Sequence, residues 1–287
     1  MNRITVKSNA KINLGLDVTG TLPNGYHTVK MIMQTISLTD SLYFEKRKDN
    51  RIILQTNLPF LPVNEKNIVY KAIKLFQEKS TLSLGIYCRI TKHIPVAAGM
   101  AGGSGNAAAA LLALNELYNT GFSTQTLLEM GLKLGADVPY CILGKTALAE
   151  GIGEKLTPLP PPPPAKILIV KPPVSVSTAE VYSGLELNSD TVHPDIDACI
   201  SALKNNSLKD LCAGLGNILE DVTIKLHPEI AVIKKTMLEL GADGSLMSGS
   251  GPTVFGLFGD PDAAGKAYLH FKDMKPYQSS TYLCDFT

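Results

Sequence analysis

A chain of 287 residues with 18% charged residues and a formal net charge of +1 has room for one large or two ordinary domains around a sizeable core. Balanced charge gives no sign of a large basic surface for nucleic acid, while allowing a local basic pocket, and the lack of tryptophan with few other aromatics argues against a broad base-stacking face. The longest apolar runs, such as 107–114, fall well short of the roughly 18–20 residues that span a bilayer. Five cysteines (Cys88, Cys141, Cys199, Cys212, Cys284) form no C-x-x-C pair, and the histidines are scattered. That argues against a disulfide framework or a cysteine-rich zinc site, and for reduced thiols in a cytoplasmic protein. The N-terminus carries charge where a signal peptide needs an apolar segment, so it reads as a first strand.

In chain order, 4–7 and 11–18 alternate apolar and polar residues as half-buried strands do. Pro23-Asn24-Gly25 marks a turn, and 31–38, 41–45 and 51–56 continue the strand pattern. From 67 to 78 the spacing becomes helical, with Ile68, Ala72, Leu75 and Phe76 on one face. A strand over 84–91 delivers the chain to the glycine-rich stretch 95–106, which runs into strong helix formers at 107–114. A second helix opens after Ser123, a natural N-cap. The sequence Gly135-Ala136-Asp137-Val138-Pro139 breaks the helical pattern, and apolar 140–143 follows. Strand-like 145–150 leads to the proline run 160–164, which is extended and reads as a stiff connector or as a ligand for an SH3-type module. The domain boundary is placed there.

Beyond it, 166–170 reads as a strand, and 178–185, 195–204, 208–219 and 229–240 as helices. Short strands at 244–247 and 253–258 bracket Ser248-Gly249-Ser250-Gly251-Pro252. A helix over 262–271 and a last strand over 277–285 complete the chain. Strands ahead of helices, with long non-parallel segments early on, favour an α+β protein of two sandwiches over one doubly wound sheet.

The stretch 95–106 is the most informative. Four glycines between 99 and 105 leave a backbone with little Cβ obstruction. Glycines feeding a helix N-terminus gather unpaired N–H groups and partial positive charge, which makes a phosphate cradle. A tight turn ahead of a closely packed helix is the alternative. No Gly-Lys-Ser/Thr follows, so this is not a P-loop. Gly103-Ser104-Gly105-Asn106-Ala107-Ala108 fits G-x-G-x-x-G/A, but Glu129, where an acidic residue should end a second strand, lies in a helical stretch. That counts against a dinucleotide-binding fold.

Ala10-Lys11-Ile12-Asn13-Leu14, then 95–106, then Ser248-Gly249-Ser250-Gly251-Pro252-Thr253 resemble, in order, the three motifs of the GHMP small-molecule kinases. Asn24-Gly25-Tyr26-His27, 134–139 and 149–154 resemble more narrowly the branch of that family acting on 4-diphosphocytidyl-2-C-methyl-D-erythritol. The resemblance implies an ATP-binding N-terminal domain over 1–157, similar to ribosomal protein S5 domain 2. It implies a ferredoxin-like C-terminal domain over 158–287, whose last strand, 277–287, is able to pair back with the first. It also implies ATP-dependent phosphorylation of the 2-hydroxyl of a cytidine-diphosphate-linked methylerythritol, in the non-mevalonate route to isoprenoid precursors, with Mg²⁺ neutralising charge. The partners are then small molecules, with neither nucleic acid nor membrane among them.

Three rival readings stand beside this one. They are another GHMP kinase of mevalonate, homoserine or galactose type, an inactive GHMP-fold ligand-binding module, and a dinucleotide-dependent oxidoreductase. The turn at Gly25-Tyr26-His27 argues against the first, whose substrates carry no base to stack; Lys11 and Asp137 together argue against the second.

By the same resemblance Lys11 and Asp137 are catalytic. Asp137 guides the attacking hydroxyl. Lys11 keeps that carboxylate ionised, as an opposite charge within about 4–6 Å does, and contacts the transferring phosphoryl group or the reacting hydroxyl. A turn or cap aspartate and a solvent-facing strand lysine are the plainer readings. Asn13, two residues on and so on the same strand face as Lys11, is placed to hydrogen-bond the substrate. Tyr26 and His27 are assigned to a cytosine pocket, by stacking and by an edge hydrogen bond, with Tyr182 as a second wall and Thr178 nearby. An aromatic rim under the hairpin, and a core role for Tyr182, are the alternatives.

Pro95, Val96, Ala97, Ala98, Gly99, Met100, Ala101, Gly102, Gly103, Ser104 and Gly105 wrap the ATP phosphates with backbone amides. Ser104 adds a hydroxyl to a phosphate or to Mg²⁺. Lys92 and Asn67 are further nucleotide-side residues. No other metal ligand, and no oligomeric state, is specified. Gly105 stands where the family usually has Ser or Thr, which removes a hydroxyl contact.

Overall fold

The computed structural model describes residues 1–23, 25–82 and 85–287. The expected turn residue Asn24 and strand residue Leu84 lie outside the described residues. The chain forms two compact units assembled from separated segments. One comprises Met1–Ala10, Leu38–Val96 and Ala101–Gly144, the other Lys11–Ser37, Ala97–Met100 and Lys145–Thr287.

Two long strands, β1 (Arg3–Thr21) and β2 (His27–Arg47), contribute to both units. Each was expected as a pair of shorter strands. Ser8-Asn9-Ala10 and Thr39-Asp40 interrupt the alternation of the sequence, but the backbone stays extended through them.

The first unit adds β3 (Ile52–Thr56), α1 (Ile68–Ser80), β4 (Gly85–Thr91), α2 (Gly102–Tyr118), α3 (Thr124–Leu134) and α4 (Val138–Leu143). β3 runs parallel to β4, and β4 pairs antiparallel with residues 41–47 of β2. The Asn67 side chain caps α1 by accepting from Val69 N–H at 2.9 Å, and Ser123 caps α3 as its sequence implied. Val69, Ala72, Ile73 and Phe76 of α1 meet Ala107 to Ala110, Leu111 and Leu114 of α2 in one apolar cluster with Phe44, Ile86 and Ile90 from the strands. Alanine explains how α2 is covered on several sides, because its small side chain lets α1, α3 and α4 all pack close to one axis. The expected helix break at 135–139 is brief: Asp137 already stands at the start of α4.

The second unit contains β5 (Thr146–Gly151), β6 (Lys155–Pro158), β7 (Lys166–Val170), α5 (Thr178–Ser183), α6 (Ile196–Lys204), α7 (Leu208–Gly214) and β8 (Gly216–Asn217). After these come α8 (Glu220–Leu226), α9 (Glu229–Glu239), β9 (Gly244–Met247), β10 (Val254–Phe258), α10 (Pro261–Asp273) and β11 (Thr281–Cys284). An antiparallel sheet of order β11-β7-β10-β9 is packed by α9 and α10, the β-α-β-β-α-β connectivity of a ferredoxin-like fold. β5 pairs with residues 29–34 of β2, β6 pairs with β5, and β8 lies parallel to Gly15 and Leu16 of β1.

The helix expected over 208–219 stops at Gly214 because Gly216 and Asn217 straighten to pair with β1, and α8 follows unannounced. The expected last strand divides in two. β11 pairs with β7, while the tail bonds along β2 through Ser37 N–H to Asp285 O (2.9 Å) and Thr287 N–H to Thr35 O (3.1 Å). Pro162 and Pro163 are buried and Pro160, Pro161 and Pro164 exposed, so part of the proline run is packed into the fold as a connector is.

All five cysteines are free thiols. Burial pushes Cys199 up to about 11 and Cys212 up to about 12, which leaves them poor nucleophiles. No helix of the described residues is long and apolar enough to cross a membrane.

Phe76 is fully enclosed and meets Phe122 edge-on with ring centroids 5.4 Å apart. Phe76→Ala is expected to cost about 3–5 kcal/mol in urea unfolding; a loss under about 1 kcal/mol would mean that this cluster closes over the gap.

Candidate functional site

The glycine stretch enters its helix earlier than the alanine run suggested. α2 begins at Gly102, with Ala101 as its N-cap and no side chain capping it. The N–H groups of Gly102, Gly103 and Ser104 therefore stand at an uncapped helix start, where the helix dipole concentrates positive charge. Leading into it, Ala97 (φ 50°), Gly99 (φ 68°) and Ala101 (φ 51°) all lie in the left-handed region. Two alanines held there cost about 1–2 kcal/mol each, a strain that persists only where the surroundings impose it. Left-handed residues alternating with others turn successive N–H groups to one side, as anion-binding nests do.

Other predicted residues of the first unit have definite surroundings. Lys92 is buried beside Asp40 and Asn106, with its ammonium 3.1 Å from Asn106 Oδ1. Asn67 uses both ends of its amide locally, donating to Pro62 O (2.7 Å) and capping α1. Asp137 is half-buried at the N-cap position of α4, yet its carboxylate makes no cap hydrogen bond. Its side chain is thus not used as a plain helix cap would use it.

In the second unit, the first and third motifs meet part of the second. Lys11 Nζ donates to Asn13 Oδ1 at 2.6 Å, and Lys11 N–H donates to Met100 O at 3.2 Å. Asn13 is fully buried, and its Nδ2 faces Met31 Sδ at 3.4 Å, so in this structure the amide orients the lysine. Gly249 lies where a Cβ would be 3.5 Å from both Lys11 Nζ and Asn13 Oδ1. Ser248 Oγ donates to Gly99 O at 3.0 Å. Thr178 at the start of α5 shares a 2.8 Å hydrogen bond with Ser250 Oγ. One turn on, the Tyr182 ring lies 5.2 Å from the His27 ring, tilted by 45°. Tyr26 is 60% exposed.

Residues 67–145 match the GHMP kinases N terminal domain, and residues 189–275 match the GHMP kinases C terminal domain. A 4-diphosphocytidyl-2-C-methyl-D-erythritol kinase of Lachnoclostridium phytofermentans is 54% identical over 286 residues, covering 100% of this chain and 98% of the relative. The enzyme of that name from Bacillus subtilis is 47% identical over 255 residues, covering 89% and 88%. The chain belongs to the 4-diphosphocytidyl-2-C-methyl-D-erythritol kinase family of GHMP kinases. A crystal structure of a 4-(cytidine 5'-diphospho)-2C-methyl-D-erythritol kinase superposes with a TM-score of 0.83 at 31% identity, covering 99% of each chain. A homoserine kinase from Cytophaga hutchinsonii, at 21% identity and a TM-score of 0.82, shares the fold.

The surroundings of residue 105 account for a glycine there. A Cβ at 105 would lie 2.6 Å from Ser8 Oγ and 3.2 Å from Asn9 O. The Ser8 side chain occupies the space that a serine at 105 needs. Its hydroxyl is buried, 4% exposed as a residue, and without a hydrogen-bond partner among the described residues.

Three further residues hold the motifs and were missed from sequence. Asp40 sat in the gap between two expected strands. Asn217 sat inside an expected helix, yet its Nδ2 donates to Met247 O and Gly249 O, both at 2.8 Å. Glu220 accepts from Met247 N–H at 2.8 Å and pairs with Lys234, so both ends of the third motif's approach are fixed.

Gly105→Ser is expected to lower stability by an overpacking cost of about 1–3 kcal/mol, and Ser8→Ala in the same chain to return most of it. Thermal unfolding of the single and double variants measures this; an equal loss in both would rule out the contact as the reason for glycine.

Proposed function

We propose that the protein transfers the γ-phosphoryl group of ATP to the 2-hydroxyl of 4-(cytidine 5'-diphospho)-2-C-methyl-D-erythritol, with Asp137 guiding that hydroxyl and Lys11 contacting the transferring phosphoryl group. Phosphoryl transfer asks the protein for positioning and charge stabilisation more than for covalent chemistry. The uncapped start of α2 carries the ATP side of the reading, because an unfilled row of N–H groups at a positive helix end suits a polyphosphate. The half-buried carboxylate of Asp137, not engaged in capping, suits a group that accepts a hydroxyl proton. The substrate rests on the names of relatives at 47–54% identity.

In this proposal residues 95–105 wrap the phosphates, the N–H donors coming from 96–104, since Pro95 has none and the Gly105 N–H donates to Ala101 O at 2.8 Å; Lys92 and Asn67 lie on the nucleotide side. Asn13 sets the Lys11 ammonium, which its buried oxygen already accepts. Tyr26 and Tyr182 stack on cytosine while His27 pairs with the base edge, and Thr178 lies beside them. Among the described residues no group of three or more His, Cys, Asp or Glu could hold a metal. Ser104 carries the one hydroxyl of residues 95–105 and would be the protein ligand of a Mg²⁺ ion carried in by the phosphates, whose charge that ion would neutralise. The family domains divide at 157/158 in this reading, the first binding ATP, and the enzyme works on small molecules in the cytoplasm.

ATP consumption should depend on the cytidine diphosphate part of the acceptor. Equal turnover of methylerythritol phosphate lacking it would sink the cytosine pocket. Asp137→Ala is expected to abolish turnover while ATP binding, followed by calorimetry, persists; undiminished turnover would remove Asp137 from the mechanism. Tyr182→Ala should raise KM for the acceptor by the worth of one stacked base, about 1–3 kcal/mol, with KM for ATP unmoved.

A further inference from the structure

Asp40 is fully buried within β2, and its carboxylate is filled from four directions. Oδ1 accepts from the backbone N–H groups of His93 (2.7 Å) and Ile94 (2.9 Å). Oδ2 accepts from Asn106 Nδ2 (2.9 Å) and from the Lys92 ammonium. The Lys92–Asn106 bond closes a triangle of three buried side chains. Asn57 grips the Lys92 backbone on its far side, accepting from its N–H (2.8 Å) and donating to its O (3.0 Å). A Cβ on Gly102 would stand 3.1 Å from Lys92 Nζ, so the ammonium lies against the first residue of α2.

A buried ion pair is weak grounds for stability, since exchanging one for apolar residues is often neutral or stabilising. The location says more. A cation at a helix N-terminus is repelled by the dipole, and the Asp40 charge offsets that repulsion. An ammonium held there adds to the attraction that the helix start has for an anion. Two of the three Lys92 N–H groups go to Asp40 and Asn106, which leaves the third for a ligand.

We propose that Asp40 is a positioning residue for the nucleotide phosphates. One carboxylate fixes the Lys92 ammonium, the 92–94 backbone leading into the glycine stretch, and Asn106 within α2, and it acts through Lys92 without touching the nucleotide. The proposal rests on the reading of that stretch as the ATP side.

Saturation curves for ATP and for the acceptor test it in the wild type, Lys92→Met, Asp40→Asn and the double variant, with thermal unfolding alongside. Lys92→Met and Asp40→Asn are each expected to raise KM for ATP about tenfold or more, the worth of a charge-assisted hydrogen bond, and to leave KM for the acceptor within about twofold. The double variant should match Lys92→Met, because Asp40 acts through that side chain. A raised KM for ATP in Lys92→Met but not in Asp40→Asn overturns the proposal and leaves the ATP reading standing. An unchanged KM for ATP in both overturns the proposal together with the placement of Lys92 at the nucleotide. Should Asp40→Asn alone fail to fold, the double variant, which buries no unpaired charge, is compared with Lys92→Met; a further rise in its KM for ATP would overturn the role assigned to Asp40.

Discussion

At Gly99 the backbone passes so near the third motif that no side chain fits: a Cβ there would lie 2.2 Å from Ser248 O and 3.0 Å from Gly251 O. Much of the second unit's site depends on that approach. It lets Ser248 Oγ reach Gly99 O, and it brings Met100 O within reach of Lys11 N–H. From the other side Asn217 holds the carbonyls of Met247 and Gly249. Gly249 in turn leaves room beside Lys11 and Asn13. Two bulkless residues and one buried amide thus set the place of the lysine, well before any contact with a substrate is considered.

The same logic governs the start of α2, with a different outcome. Gly102 admits the Lys92 ammonium and Gly105 admits Ser8, so the helix is seated by what its glycines leave out. The first turn keeps its N–H groups because the N-cap is an alanine in a left-handed conformation, which has no side chain to offer them. A serine or aspartate cap would stabilise a free helix by about 1 kcal/mol and would occupy the donors that an anion needs. Capping stability and anion binding compete for the same N–H groups, and at Ala101 the chain has given up the first.

Much of this was legible in the sequence because it depends on residue type at short range. Glycines before alanines announce a helix start, and alternation announces strands. What stayed hidden depends on partners far apart in the chain. Asp40 looks like a break between strands until His93, Ile94, Lys92 and Asn106 are seen around it. Asn217 continues a helical pattern until pairing with Leu16 pulls it straight. The boundaries of α2 and of the last strand moved for two different reasons. The helix start is fixed by left-handed residues ahead of it, and the strand end by hydrogen bonds to Thr35 and Ser37. Local propensity predicts an element, but backbone conformation at its ends and tertiary hydrogen bonds decide where it stops.

Gly105 shows why a motif is better read as a volume than as a string of letters. Taken alone, glycine in place of serine is a lost hydroxyl and a slightly weaker helix. Beside Ser8 it is what the space allows: the strand contributes the side chain and the helix makes way. The physical unit that has to be preserved around α2 is the packed layer of β1 and helix backbone, and residue 105 taken singly does not describe it.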